Sequence, residues 1–341
     1  MHRERAALRV GDEVREMLAL GQPVVALETA VLTHGLPRTP MAAPPCAHDL
    51  LTAIGHPWIE HAPANLELAR AMAAVVRAHG ATPATVGMLD GELIVGLNGE
   101  ELARLGAETS VVKLSTRDLG VARAERACGG TTVAGTLTAM RLANQAMTGI
   151  AKVPLRVFAT GGIGGVHRGW TATPDVSADL LSLASTPACV VSAGAKSILD
   201  LPATVEALDS LGIPVLGLDT PWFPRFLTAG APPLRVQREV PSIAVAAQAC
   251  RAHWDEFGLP SGILLANPPP DRFALAYDEV ESIIAESVRE AAATGVLAAA
   301  VTPFLLQRVA ERTAGRSVGA NVAALLHNAH VAARLAVALV P

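Results

Sequence analysis

Aromatic side chains make up only 3% of this 341-residue chain, although 51% of it is hydrophobic. The apolar content is therefore mostly Ala, Val and Leu, which suit closely packed helices and buried parallel strands. Charged residues are also scarce, at 17%, and low charge with high hydrophobicity excludes disorder over most of the length. Cysteine occurs four times, at Cys46, Cys128, Cys189 and Cys250, with no CxxC spacing. That argues against a disulfide framework and for the reduced thiols of a cytoplasmic protein. No long Lys/Arg run appears and the formal net charge is −4. A general nucleic-acid surface is disfavoured, whereas a small anionic ligand needs only a local positive site. No stretch of about 18 apolar residues escapes charge or punctuation, so no membrane span is expected. The first residues, MHRERAALRVGDEVREMLALG, are charged and read as an amphipathic helix rather than a secretory signal. There is no internal repeat of the length that marks solenoids or propellers.

What is present is alternation. Short apolar runs at Val24–Leu27, Val111–Leu114, Val157–Thr160, Cys189–Ala193, Val215–Leu218 and Ile263–Ala266 read as strands. Leu66–His79, Leu119–Cys128 and Val133–Ala146 read as helices, and so do Asp278–Ala293, Pro303–Ala314 and Val318–Leu339. Asp90-Gly91 between Thr85–Leu89 and Glu92–Leu97 is a hairpin signal. Strands alternating with helices predict an α/β protein, a layered α/β/α single large domain around a mostly parallel, mixed sheet. Thr39–Ala62 breaks the rhythm with four prolines and reads as an inserted surface loop with one short helix. It also holds Cys46, His48, His56 and His61, whose spacing matches no standard zinc pattern.

Several segments carry residues suited to chemistry. Thr160 opens the loop Gly161-Gly162-Ile163-Gly164-Gly165-Val166-His167-Arg168-Gly169 straight after a strand. Such glycines let backbone amides approach an anion, or simply make a tight turn. The spacing is neither a Rossmann nor a Walker fingerprint. Asp175, Ser177 and Asp179 sit at a helix start, where Asp175 is either the N-cap or an oxygen ligand for Mg or Mn. Lys196 follows a buried strand among small residues. Desolvation there favours a neutral, nucleophilic amine of the kind that forms Schiff bases, unless the lysine reaches solvent or pairs with Asp200. Glu28 ends the first strand, where apolar surroundings would raise its pKa and suit a general acid. Lys113 ends another strand. Thr132 and Val133 open a helix whose N-terminus suits phosphate or needs only a cap. Asn321 shares the last helix with His327, Asn328 and His330, which read mostly as surface or packing groups.

Taken together, the stretches VVALETAVLTHGLP, ANLELARAM, GATPATVGMLDGELIVGL, VVKLSTRDL, GGTTVAGT, VFATGGIGGVHRG, DVSADL, SAGAKSILDLPATVE, LANPPP and TPFLLQRVAERT occur in order along nearly the whole chain. In them the sequence resembles the pseudouridine-5′-phosphate glycosidase family. The resemblance implies reversible cleavage of the C–C glycosidic bond of pseudouridine 5′-phosphate to uracil and ribose 5-phosphate, with Mn and a homotrimeric assembly. It implies Glu28 as proton donor, Lys196 as nucleophile and Asp175 as metal ligand. Lys113, Thr132, Val133, His167, Ser177, Ala178, Asp179 and Asn321 would line the substrate pocket. By the same resemblance Thr39–Ala62 is longer than usual, a smaller insertion lies near Asn144–Pro154, and Thr29-Ala30 replaces a more usual Ser-Thr. The readings that compete with this one are a Schiff-base lyase for another phosphosugar and a catalytically silent sugar-phosphate binder.

Overall fold

The computed structural model describes residues 6–171, 174–296 and 301–340. The chain runs β1 (Leu8–Val10), α1 (Asp12–Leu20), β2 (Val24–Leu27), α2 (Pro45–Ala53), α3 (Ala64–Ala78), β3 (Thr82–Leu89), β4 (Glu92–Val95), α4 (Gly99–Ala107), β5 (Val111–Leu114), α5 (Leu119–Ala124), β6 (Cys128–Thr131) and α6 (Val133–Ala146). It continues with β7 (Val157–Ala159), α7 (Ala178–Ala184), β8 (Cys189–Ser192), α8 (Leu201–Ser210), β9 (Val215–Leu218), β10 (Arg238–Val240), α9 (Ile243–Arg251), β11 (Ile263–Ala266), α10 (Tyr277–Ala293), α11 (Val301–Arg312) and α12 (Arg316–Leu339).

One sheet joins these strands in the order β1-β4-β3-β2-β7-β8-β11-β9-β10, with β6 on β3 and β5 on β6. Every pairing is parallel except β3 with β4 and β3 with β6. Strand side chains alternate between two cores, as period-2 geometry requires. Val24 and Ala26 face one core with Phe158, Val190 and Leu264, beneath α1, α6, α8 and α10. Val25 and Leu27 face the other with Val157, Val191 and Leu265, beneath α2, α3, α9 and α12. Both faces are covered, so the central strands read as continuous apolar runs and the fold is the layered α/β/α expected. A hairpin at Asp90 (φ 51°) and Gly91 (φ 79°) makes the sheet mixed. Two positive φ values in succession are what an Asp-Gly turn between right-twisted strands supplies.

Three local expectations change. The N-terminal segment is not one helix, because Leu8–Val10 pairs with β4 before α1 begins. Cys128 does not close a helix but opens β6, a Cys-Gly-Gly-Thr strand without the β-branched signature. The 39–62 segment is more than solvated loop. Cys46, Ala47 and Leu51 of α2 are buried in the core beside α12, and Trp58 donates to the Met41 carbonyl at 3.0 Å. Burial pushes the Cys46 thiol up to about 11, and it donates to the Gly319 carbonyl. A protonated thiol so occupied does not suit zinc, and no three His, Cys, Asp or Glu side chains converge on a metal position among the described residues.

The last helix, α12, has the length and hydropathy of a membrane span. Its apolar residues are spent inside the fold, where Val322, Leu325, Leu326, Ala329, Ala332, Ala333 and Leu335 are all buried.

Candidate active site

The site forms where strand ends meet. β2 pairs with the first half of β3, Leu27 opposite Thr85, and β6 runs antiparallel beside its second half, Gly130 opposite Gly87. Because β3 is twice as long as β2, the carboxyl ends of β2 and β6 approach each other head on. The Thr131 amide donates to Thr29 Oγ1 at 3.1 Å across this junction, and Thr29 and Thr131 both donate to the Val86 carbonyl. Glu28, directly after β2, thus comes within electrostatic reach of Lys113 on β5. β7 and β8 add Thr160 and the Lys196 loop from the other side. Carboxyl ends of parallel strands are where open α/β sheets place ligands.

Glu28 is partly buried and accepts a hydrogen bond from the Thr160 hydroxyl. Desolvation holds its pKa above the ordinary glutamate value, against the pull of Lys196, the Thr160 hydroxyl and Lys113, with Asp179 adding to the rise. Lys196 is therefore within electrostatic reach of Glu28. Its backbone N–H donates to the Ile163 carbonyl at 3.0 Å, extending the β7–β8 pairing into the loops. The alternative partner Asp200 is engaged elsewhere: it caps α8 by accepting from the Ala203 amide. Lys113 exposes much of its surface, yet protein crowds its amine. Burial, then Lys196, holds its pKa below the ordinary lysine value, opposed by Glu28 and Asp179.

Asp179 is buried, and both its oxygens bind main chain: Oδ1 accepts from the Ala134 amide at 2.9 Å and Oδ2 from Gly164 at 2.7 Å. It ties the first turn of α6 to the glycine-rich loop. The cap of α7 is Ser177, whose hydroxyl accepts from the Asp179 amide, so Asp175 is not the N-cap. A hydroxyl two residues closer to the helix outcompetes it. Asp175 instead lies on the loop, half-exposed, 3.8 Å from His167 Nδ1. Burial chiefly lowers the His167 pKa, with Asp175 opposing. Thr132 caps α6, and its hydroxyl also reaches the Leu114 carbonyl. The Val133 side chain is buried, which leaves its backbone for any ligand. Asn321 approaches the glycine-rich loop at Gly161. Ala178 begins α7 beside Ser177.

Arg168 is not a free cation. It binds Glu281 through two hydrogen bonds, 2.5 and 2.8 Å, and donates to the Leu199 and Ser197 carbonyls that flank the Lys196 loop. Three further residues have roles that the sequence did not assign. Thr160 binds Glu28. Asn328, fully buried, donates to the Thr160 carbonyl at 2.7 Å. Asn267 donates to Asn328 Oδ1 at 2.8 Å. Thr160 and Asn267 each follow a buried strand directly, and that position was the available signal.

A carboxyl group and two lysines in electrostatic reach of one another at strand ends, beside a glycine-rich loop, mark the candidate site of an α/β enzyme. The family described as Indigoidine synthase A like protein matches residues 51–338. A pseudouridine-5′-phosphate glycosidase of Chloroflexus aurantiacus is 44% identical over 337 residues, spanning 97% of this chain and 98% of its own. Among solved structures, the prealnumycin C-glycosynthase AlnA in complex with ribulose 5-phosphate superposes with a TM-score of 0.80 at 34% identity, over 98% of each chain. An indigoidine synthase A-like protein of Thermotoga maritima gives 0.79 at 30% identity over 100% of both chains. The chain belongs to the pseudouridine-5′-phosphate glycosidase family.

Proposed function

We propose that this chain reversibly cleaves the C–C glycosidic bond of pseudouridine 5′-phosphate, giving uracil and ribose 5-phosphate, with Glu28 as proton donor and Lys196 as nucleophile. The observation that carries this is the placement of Glu28 at a strand end, hydrogen-bonded by the Thr160 hydroxyl, with Lys196 and Lys113 in electrostatic reach. Ordinary glycosidases use two carboxylates and an oxygen leaving group. A C-glycoside has no such oxygen on its base, so an amine route is needed.

Glu28 gives its proton to the ribose ring oxygen as the bond to the anomeric carbon breaks, and the electron pair stays with oxygen. The Lys196 amine bonds that carbon and loses a proton. A proton then adds to the uracil carbon that bears the sugar. The C–C bond pair restores the ring double bond while the nitrogen lone pair forms C=N to the sugar. Water adds to this imine and releases Lys196 and ribose 5-phosphate. Binding the phosphate anchors the sugar and supplies orientation. Lys113, His167, Thr132 and the Val133 backbone are the groups offered to it, with Ser177, Ala178 and Asn321 at the rim; the Gly164 and Ala134 amides are already held by Asp179.

Asp175 fits a divalent cation such as Mn that keeps much of its water: one half-exposed carboxylate stands there without a converging set of ligands among the described residues. When bound, the ion supplies positive charge beside substrate oxygens. Exposed Val176 and Leu181 flank the Ser177–Asp179 turn, and exposed Val112 and Val121 lie near Lys113. These support association of copies, and a homotrimer is the assembly proposed. The four free cysteines fit a reducing cytoplasm.

Uracil release from pseudouridine 5′-phosphate with added Mn, comparing the unaltered chain with Lys196→Ala, tests the reading. Release that falls to background in the variant is expected. Release that persists contradicts it, and cleavage of other sugar phosphates instead would favour a different lyase.

A further inference from the structure

We propose that Asn328, held in place by Asn267, is a positioning residue that sets the orientation of Glu28 through Thr160. This rests on the reading of Glu28 as the acid. The chain of contacts is continuous. The Asn267 amide Nδ2 donates to Asn328 Oδ1 at 2.8 Å, and Asn328 Nδ2 donates to the Thr160 carbonyl at 2.7 Å. The Thr160 hydroxyl then donates to Glu28 Oε1. Asn267 is itself anchored, since its backbone N–H donates to the Ser192 carbonyl at 2.8 Å. Its side chain also donates to His327 Nδ1 at 3.2 Å. Burial chiefly lowers the His327 pKa, with a backbone hydrogen bond at Pro268 opposing.

Thr160 stands at the end of a three-residue strand, where the β7 ladder runs out. Its amide is fixed by the Val191 carbonyl at 3.1 Å. Its carbonyl is fixed by α12 through Asn328. With both peptide groups pinned, the Cα–Cβ bond has a fixed direction, and from it the hydroxyl reaches Oε1. That contact occupies one carboxyl oxygen and leaves Oε2 to meet substrate. Asn328 is fully buried, and a packing position there would not require an amide. Outer partners that orient a reacting group commonly change activity by about ten- to a hundredfold when removed.

The test follows Glu28 itself, by carboxyl-stretch difference infrared titration against Glu28→Gln, in the unaltered chain, Asn328→Ala, Thr160→Val and the double variant. Lys196, Lys113 and Asp179 also face Glu28 and remain in all four. Loss of the hydroxyl donor is expected to move the Glu28 titration to higher pH in Thr160→Val. Asn328→Ala should move it the same way, and the double variant should match Thr160→Val. With pseudouridine 5′-phosphate, kcat should fall about tenfold in Asn328→Ala with KM little changed. Independent, additive shifts, or an unmoved Glu28 titration in folded Asn328→Ala, overturn the proposal. If Asn328→Ala does not fold, Asn267→Ser replaces it with the same expectations. If the unaltered chain releases no uracil, the proposed reaction fails while the infrared result still decides the role of Asn328.

Discussion

The carboxylate of Asp179 accepts the amide of Gly164 at 2.7 Å, and its other oxygen accepts Ala134 at 2.9 Å. A residue expected to line the substrate pocket thus holds the pocket's two backbone walls together. Asp179→Asn replaces one acceptor with a donor that faces an N–H. The expected cost is about 1–3 kcal/mol of stability, together with a large loss of activity. Thermal unfolding and uracil release measured together check this, and an unchanged melting temperature contradicts it.

Glycine is required at two turns of the site for different reasons. A Cβ on Gly164 would collide with the Ser177 hydroxyl and crowd Asp179 Oδ2. Gly194 has φ +72°, and a Cβ there would collide with the Pro224 carbonyl. Gly164→Ala and Gly194→Ala should each destabilise by about 1–3 kcal/mol or more. Gly99→Ala, at a helix start with open space around it, should be neutral to slightly stabilising. Denaturant midpoints of the three variants test the contrast.

The raised pKa of Glu28 fixes the sign of a pH effect. Because the folded state holds this proton more tightly than the unfolded chain, the stability linked to it is full below the ordinary glutamate pKa. It is lost as pH rises through the higher folded value. Glu28→Gln, which cannot ionise, should therefore gain melting temperature relative to the unaltered chain as pH rises across that interval, and lose activity at every pH. A melting difference that grows toward acid contradicts the assignment.

Arg168 braces the lysine loop while Glu281 holds Arg168. The Arg168 hydrogen bond, more than its charge, keeps the Glu281 pKa below the ordinary value. That stabilisation is present above the usual carboxylate range and is lost as pH falls through the lowered value. Arg168→Ala frees the Ser197 and Leu199 carbonyls, so kcat should drop by about tenfold with a modest stability loss, since the pair is partly exposed. Glu281→Gln keeps one acceptor and should be milder. Steady-state kinetics of the two variants check the order.

Much of the fold was legible because buried strands carry plain signals. β2, β5, β9, β11 and α6 have the limits that apolar runs and the Thr132 cap predict. β6 was not legible. Its glycines are needed because neighbours such as Thr33 leave no room for a Cβ at Gly130, a tertiary cause with no local trace. Of the site, Glu28, Lys113 and Lys196 could be picked out by their positions at or just past strands, and they lie in electrostatic reach of one another. The roles of Asp179, Arg168 and Asn328 could not, because each is decided by backbone groups brought from distant segments. Asp175 looked like the cap until Ser177, two residues on, proved to hold the amide.

The central claim is a covalent bond between Lys196 and the sugar. Adding borohydride during turnover of pseudouridine 5′-phosphate and mapping the product by peptide mass spectrometry tests it directly. The account predicts a reduced sugar-phosphate adduct on the peptide that contains Lys196, absent from Lys196→Ala. Steady uracil release with no adduct on Lys196, or an adduct on another lysine, would contradict it.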